Sequence, residues 1–215
     1  MSVQNFQSAR ESMVQSQLHP SGVSSEKVLN AYRSVPREVF VPENLRSICY
    51  LDESLPLGNG QSLFEPMLHG KIVERLEVTD RDAVLDIGDM TGYSAAILSQ
   101  LAREVVVIDN PSAAAAEAKK NWLTLGYHNI SSAAALQGEF DAILINGAVA
   151  EIPEQSLQML ASGGRLACIL QPSKRSVGKI TIVTKEADGS ISKRFFEDAS
   201  AGYIPGFEPK EEFVF

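Results

Sequence analysis

A chain of 215 residues is long enough for one α/β domain to bury a core without disulfides or structural metal, and too short for a second full domain. Its formal charge of -8 at pH 7 repels phosphate, which argues against a general affinity for nucleic acid or for an anionic membrane surface. The two cysteines, Cys49 and Cys168, lie far apart with no paired spacing, so neither a zinc site nor a disulfide framework is suggested.

The N-terminal Met1-Ser2-Val3-Gln4-Asn5-Phe6 lacks a basic segment followed by an apolar one, unlike an export signal. No apolar run in the sequence approaches the roughly 18 residues that would span a bilayer. The expectation is a cytoplasmic, monomeric chain folded as a single domain over 1–215, with N-terminal helices and a loop over 1–78 preceding a core over 79–215.

In chain order, Phe6, Ala9, Met13, Val14 and Leu18 share one face of a helix over 4–18, which His19-Pro20-Ser21-Gly22 ends. A second helix starts after Ser24 or Ser25, carries Val28, Leu29, Tyr32 and Val35 as its apolar stripe, and stops at Pro36. From Pro36 to Pro66 the sequence is irregular, yet Phe40, Tyr50, Leu51, Leu55 and Leu57 make it too apolar for a disordered linker. An ordered loop of this length suggests a neighbouring site. Met67, Leu68, Ile72, Val73 and Leu76 then mark a helix over 65–76, with His69 inside it as a packing residue.

Strand and helix signals alternate from residue 83: strands over 83–87, 104–108, 140–145 and 165–170, and helices over 93–101, 113–125 and 153–160. That rhythm predicts an α/β, Rossmann-like, mostly parallel sheet with helices on both faces and right-handed crossovers. Segments 179–184 and 192–196 flank the turn Asp188-Gly189 and predict an antiparallel hairpin at the C-terminal end of the sheet. Residues 212–215 read as one more short strand, and the helices before residue 78 form an N-terminal helical extension.

An open parallel sheet binds ligands at the carboxyl ends of its strands. Three such ends carry candidate residues. Val84-Leu85-Asp86-Ile87-Gly88-Asp89-Met90-Thr91-Gly92-Tyr93 reads as strand, glycine turn and helix start, with helix N–H groups offered to an anionic ligand group. Asp109 ends the next strand, at the separation from Gly88 where an acidic side chain accepts from ribose hydroxyls. Asn146-Gly147-Ala148 follows the third. Singly, each fits a plain turn as well; in register along one βαβ unit they favour a nucleoside ligand. The Asp86 carboxylate suits a ligand ammonium, whereas a pyrophosphate would be repelled by it.

These residues resemble the class I S-adenosylmethionine-dependent methyltransferases. Further strings narrow the likeness: Met13-Val14-x-x-Gln17-Leu18, Val35-Pro36-Arg37-Glu38-x-Phe40-Val41-Pro42, Leu55-Pro56-Leu57-Gly58-x-Gly60-Gln61, Ile152-Pro153 and Gly163-Gly164-Arg165-Leu166. Over nearly the whole length the chain resembles the protein-L-isoaspartate O-methyltransferase family. The resemblance implies S-adenosylmethionine as cofactor and, as partners, damaged proteins or peptides whose L-isoaspartyl α-carboxyl receives the methyl group. It places Asp86, Gly88, Met90, Gly92, Asp109 and Asn146 around the cofactor. Gln61, Ser62 and the backbone at Asn59-Gly60 would bind the acceptor carboxylate, which is ionised at neutral pH and needs no general base.

The chain departs from the family pattern in three places. Gln61-Ser62-Leu63-Phe64-Glu65-Pro66 has Phe64 where the family carries its active-site serine, so a hydroxyl donor is lost. Met90 stands where a glycine is usual, which predicts a backbone denied positive φ and a crowded ligand approach. Residues 130–139, read as loop, are shorter than the family's segment and lack its Gly-Asp-Gly. One missing charge-assisted hydrogen bond is worth about 1.5–3 kcal/mol, so the alternative is a chain that keeps the fold as a binding or scaffold protein without catalysis.

Overall fold

The computed structural model describes residues 3–58, 61–108, 112–133 and 138–210. Helix α1 (Val3–Met13) passes into a π-helical turn, Val14–Leu18, and a 3-10 turn, His19–Ser21, which Gly22 closes at φ 101. The single α-helix expected over 4–18 therefore widens in its last turn. Gly70 on the opposing helix permits this close packing, because a Cβ there would lie 2.5 Å from Leu18 Cδ2.

Helix α2 (Glu26–Ser34) is capped twice over. The Ser25 hydroxyl accepts from Val28 N at its N-terminus, and the Glu74 carboxylate accepts from the backbone amides of Ser24 and Ser25 at 3.1 and 3.0 Å. The latter bonds tie α2 to helix α3 (Pro66–Leu76), which starts with Pro66 where no amide is needed. Asp52 Oδ1 accepts from the next free amide, Met67 N, at 2.9 Å. Between α2 and α3 the irregular segment holds two 3-10 turns, Arg37–Val39 and Glu43–Leu45, and a small antiparallel hairpin of β1 (Leu55–Gly58) and β2 (Gln61–Leu63).

The core then alternates β3 (Ala83–Ile87), α4 (Tyr93–Ser99), β4 (Glu104–Ile108), α5 (Ala113–Leu125), β5 (Ile130–Ala133), β6 (Phe140–Val149), α6 (Glu154–Gln158), β7 (Leu160–Leu170), β8 (Gly178–Lys185) and β9 (Ile191–Ala199). Seven strands form one sheet in the order β5-β4-β3-β6-β7-β8-β9. The first five are parallel and the last two antiparallel, which agrees with the sequence reading. All five residues of β3 are buried, as befits a central strand covered on both faces. One apolar layer joins the sheet to α2, α3 and α4 through residues such as Leu29, Ile72 and Ile97, while Leu85, Ile143 and Leu166 face the second layer.

Some boundaries differ from those expected. Residues 130–133, read as loop, form the edge strand β5, whose Ser131 and Ser132 pair with Val106 and Val107; an edge position tolerates polar side chains, so no apolar run marks it. β6 extends past residue 145 to Val149, with an irregular register between Leu144 and Ala148. Helices α4 and α6 are shorter than their apolar patterns. The last strand expected over 212–215 lies outside the described residues. Before it, the chain after β9 folds back along the end of β6: Ala148 N donates to Gly202 O at 2.9 Å, Ile204 N to Ala148 O at 3.0 Å, and Ala150 N to Phe207 O at 2.9 Å.

Arg165 on β7 braces the join between α3 and the sheet. Its Nε donates to Leu76 O at 2.9 Å, and its Nη2 to Glu77 O at 3.0 Å and Asp82 Oδ2 at 2.6 Å. These satisfy carbonyls at the end of α3, where Glu77 adopts φ 53, the left-handed region. Arg165→Ala strands those acceptors and the Asp82 carboxylate, and is expected to lower unfolding free energy by about 2–4 kcal/mol in denaturant titration. A loss below about 0.5 kcal/mol, the usual scatter of surface substitutions, would show that the brace is dispensable.

Candidate functional site

Strand β3 is the point where the topology reverses, with β4 and β5 built to one side and β6 and β7 to the other. The crevice beyond the carboxyl ends of β3, β4 and β6 is therefore the physical place for a ligand. A cavity of about 340 Å³ occupies it, between Gly88 and Met90 of the glycine loop, Ile108 of β4, Trp122 of α5, and Ile204 and Phe207 of the returning tail. Its size suits a small organic ligand. A second cavity of about 430 Å³, bounded by Val41, Pro42, Arg46 and Asn121, shares Gln61 and Met90 with the first. A third, only about 20 Å³, lies among Gln61, Ser62, Phe64, Asn146 and Ile204. Gln61 thus borders all three.

The glycine loop owes its shape to two positive-φ glycines and one carboxylate. Gly88 has φ 87 and Gly92 φ 80. A Cβ on Gly92 would come within 2.7 Å of Ala118 Cβ and 2.8 Å of Trp122 Cζ2, and Trp122 Nε1 donates to Gly92 O at 2.8 Å. Helix α5 can approach only because position 92 has no side chain. Asp89 accepts from Thr91 N at 2.8 Å, Thr91 Oγ1 at 2.7 Å and Ser94 N at 2.7 Å, and Thr91 Oγ1 accepts from Tyr93 N at 3.1 Å.

One expectation changes in consequence. The N–H groups of Thr91, Tyr93 and Ser94, expected to face a ligand, are taken by the loop's own side chains. Met90, as expected, does not take positive φ: Glu77 is the one non-glycine residue that does among the described residues. Met90 lines the cavity wall without a strained backbone, and the turn is made by Gly88 and Gly92 on either side of it.

Asp86 is the electrostatic centre of the site. It is fully buried, with Oδ1 accepting from Ser94 Oγ at 3.0 Å and from Asn146 Nδ2 at 2.6 Å. Asn146 Nδ2 also donates to Ile87 O at 3.2 Å, and these two acceptors fix the orientation of the amide. Oδ2 is buried without a protein partner. Burial, then repulsion from Asp89, pushes the Asp86 carboxyl well above its ordinary value, against the opposing hydrogen bonds of Asn146 and Ser94. Asp89 is likewise raised by burial, its hydrogen bonds from Thr91 and Ser94 opposing. A buried carboxylate oxygen with no donor is costly, and the ammonium of an amino-acid ligand is the kind of group that satisfies it. The residues present therefore fit an S-adenosylmethionine-type ligand: a cavity of adequate volume, a glycine-shaped floor and an unsatisfied carboxylate oxygen.

On the acceptor side Gln61 and Ser62 are half-buried, and Phe64 is 4% exposed with its ring centroid 6.4 Å from that of His69. His69 serves packing, as expected: it is buried, its Nδ1 lies 2.6 Å from the Tyr32 hydroxyl, and burial lowers its pKa to about 3. The structure brings Gln61, Ser62, Phe64, Gly88 and Asn146 together around the smallest cavity, and Asp86, Gly88, Met90, Gly92 and Asn146 around the glycine loop. Asp109, Asn59 and Gly60 lie outside the described residues. So do residues 134–137 of the shortened adenine-side segment.

Sequence reasoning missed Asp89 and Ile204. The Asp89-x-Thr91-x-x-Ser94 spacing is a side-chain-to-backbone capping signal that could have been read. Ile204 carries none: its Cδ1 would lie 2.4 Å from a Cβ on Gly88 and 2.5 Å from one on Gly147, an approach set by tertiary folding of the tail.

Residues 8–208 match the family described as protein-L-isoaspartate(D-aspartate) O-methyltransferase. The Protein-L-isoaspartate O-methyltransferase 2 of Shewanella sediminis is 39% identical over 187 residues, covering 84% of this chain and 76% of its own. The Protein-L-isoaspartate O-methyltransferase of Petrotoga mobilis is 34% identical over 199 residues, covering 89% and 92%. The fold is similar to the crystal structure of a putative protein-L-isoaspartate O-methyltransferase from Plasmodium falciparum in complex with S-adenosyl-L-homocysteine. That likeness has a TM-score of 0.76 at 18% identity and covers 91% of this chain and 97% of the other. The topology and the relatives' sequences converge: the chain belongs to the protein-L-isoaspartate(D-aspartate) O-methyltransferase family.

Proposed function

We propose that this chain transfers the methyl group of S-adenosylmethionine to the free α-carboxylate of L-isoaspartyl residues in damaged proteins or peptides. The observation that carries the reading is the buried Asp86 Oδ2 without a partner, two residues before the Gly88 that floors a ligand-sized cavity. Asp86 receives the ligand ammonium, Gly88 and Gly92 let the backbone pass close, and Met90 and Asn146 bound the site. Asp109 takes the ribose hydroxyls. When bound, S-adenosylmethionine supplies a methyl group on a cationic sulfur.

Gln61 and Ser62 hold the acceptor carboxylate facing that methyl. The carboxylate is already ionised at neutral pH, so no residue need remove a proton, and the chain's task is alignment and exclusion of water. An oxygen–carbon bond forms as the sulfur–carbon bond breaks, and the acceptor's negative charge cancels the sulfonium's positive one. Ile204 and Phe64 supply apolar walls at the transfer point, where low polarity favours a step that annihilates charge. The overall charge of -8 supports a protein acceptor over a nucleic acid, and no helix among the described residues is long and apolar enough to cross a membrane. A cytoplasmic monomer is the simplest setting for this activity. A fold kept without catalysis draws its support from Met90, whose side chain borders the cavity, and from Phe64, which stands in place of the family's serine.

Methyl ester formation on an isoaspartyl peptide, with its ordinary aspartyl isomer as control, tests the reading. Turnover confined to the isoaspartyl peptide is expected; equal turnover of both, or of neither, contradicts it. Phe64→Ser restores a hydroxyl and is expected to raise kcat/KM about tenfold, the worth of one hydrogen bond, while costing about 3 kcal/mol of stability for the emptied volume. An unchanged kcat/KM in the folded variant would free Phe64 from any role in acceptor binding.

The raised Asp86 carboxyl also gives a pH signature. Because the folded chain holds this proton more tightly than the unfolded chain, the group favours folding at low pH, and its contribution is lost as pH rises from about 3.9 through the raised value. A ligand ammonium beside Oδ2 favours the ionised carboxylate, so binding of S-adenosylhomocysteine in that window is expected to release a proton and to tighten as pH increases. Titrations in buffers of different ionisation enthalpy measure the release. Asp86→Asn should abolish it, and proton-neutral binding by the parent chain across the window would remove Asp86 from the ligand's first contacts.

A further inference from the structure

Beneath the acceptor loop lies a buried cation whose charge reaches the Asp89 carboxyl only through space, with no carboxylate in direct contact among the described residues. Arg37 is 0% exposed and forms no salt bridge among the described residues. Its Nε donates to Cys49 O at 2.7 Å and its Nη2 to Phe64 O at 2.6 Å. Its guanidinium carbon stands 4.8 Å from the centroid of the Tyr93 ring, while Nη1 has no regular partner. Burying an arginine without a carboxylate is expensive, and packing alone is served as well by an apolar residue.

The three groups that Arg37 holds belong to different parts of the site. Phe64 O lies in the acceptor segment, one residue beyond β2, and Cys49 O in the irregular segment that precedes the β1–β2 hairpin. Tyr93 is the first residue of α4, directly after Gly92, and is itself buried. Burial pushes the Tyr93 phenol up to about 12, with the Arg37 charge acting against that rise, so the cation sits over a neutral aromatic face. A planar guanidinium can span two carbonyls and a ring at once, which an ammonium cannot.

We propose that Arg37 is a positioning residue for methyl transfer: it fixes the acceptor loop, through Phe64 O, at a set distance from the glycine loop, through Tyr93. It lines none of the three cavities of the site. The inference rests on the proposed methyltransferase activity, because alignment of acceptor and donor matters only if a group moves between them. Small misalignments of reacting atoms are costly, reaching about 100-fold per ångström, so loosening this link should lower kcat while leaving the cofactor cavity able to bind.

Arg37→Lys, which keeps the charge but loses the fork, and Arg37→Gln test it in the full chain. Three quantities are measured: kcat and KM on an isoaspartyl peptide, affinity for S-adenosylhomocysteine, and amide hydrogen exchange over residues 61–65. The expected result is kcat lowered about 10- to 100-fold, S-adenosylhomocysteine affinity within about threefold of the parent, and exchange over 61–65 accelerated at least about tenfold relative to that of β3. Parent-like kcat and exchange in a folded variant would overturn the proposal, as would cofactor affinity falling in step with kcat. If neither variant folds, Tyr93→Leu removes the ring while leaving Arg37's two donors; the same kcat loss and faster exchange are expected, and parent-like values overturn the proposal. A parent chain that fails to methylate the peptide defeats the functional reading instead, and the exchange measurement still judges the link.

Discussion

The active end of this fold depends on one buried carboxylate. Asp86 sits on the central strand β3, and its Oδ1 gathers Asn146 from β6 and Ser94 from α4. The three elements that meet at the topological reversal are thereby joined by side chains as well as by the sheet. What remains is Oδ2, buried and without a protein donor. A folded chain that leaves such an oxygen unsatisfied carries a cost of about 1–3 kcal/mol, which a cationic group placed beside it would offset.

The surrounding structure shapes the loop that follows Asp86. Gly88 and Gly92 turn the chain so that Trp122 of α5 and Ile204 of the tail can close on the loop from opposite sides. Asp89 ties the loop internally through Thr91 and Ser94. On the other side of the cavity, Gln61 borders both the large and the smallest cavity, and Arg37 anchors the backbone three residues beyond it. A rigid donor loop and a braced acceptor loop are the two requirements of a reaction whose barrier is lowered mainly by alignment.

The parts of this arrangement that could be read from the sequence were those with a local signature. Ala83–Ile87 and Glu104–Ile108 are apolar runs between turn residues, and both are strands with the expected ends. The paired segments around Asp188-Gly189 form the expected hairpin. Ile130–Ala133 hid its strand because edge position, not side-chain polarity, decides its pairing. The π turn at Val14–Leu18 packs Leu18 against Gly70 of another helix, and no periodicity within the turn reveals it. Asp86, Gly88, Gly92 and Asn146 could be nominated because strand ends and glycines are visible in the chain. Met90 was visible as a departure from a usual glycine, and its backbone avoids positive φ as a side chain there requires, while Gly88 and Gly92 carry the positive φ of the turn. Arg37 was visible within a motif, but its role rests on Phe64 and Tyr93, distant in sequence and close only in the fold.

The central claim is that this site retains its ligand despite Met90 and Phe64. Equilibrium titration of the unaltered chain with S-adenosylhomocysteine measures it most directly. The account predicts saturable one-site binding with a Kd on the order of micromolar, about 8 kcal/mol. Absence of saturable binding at millimolar ligand, about 4 kcal/mol, would contradict it.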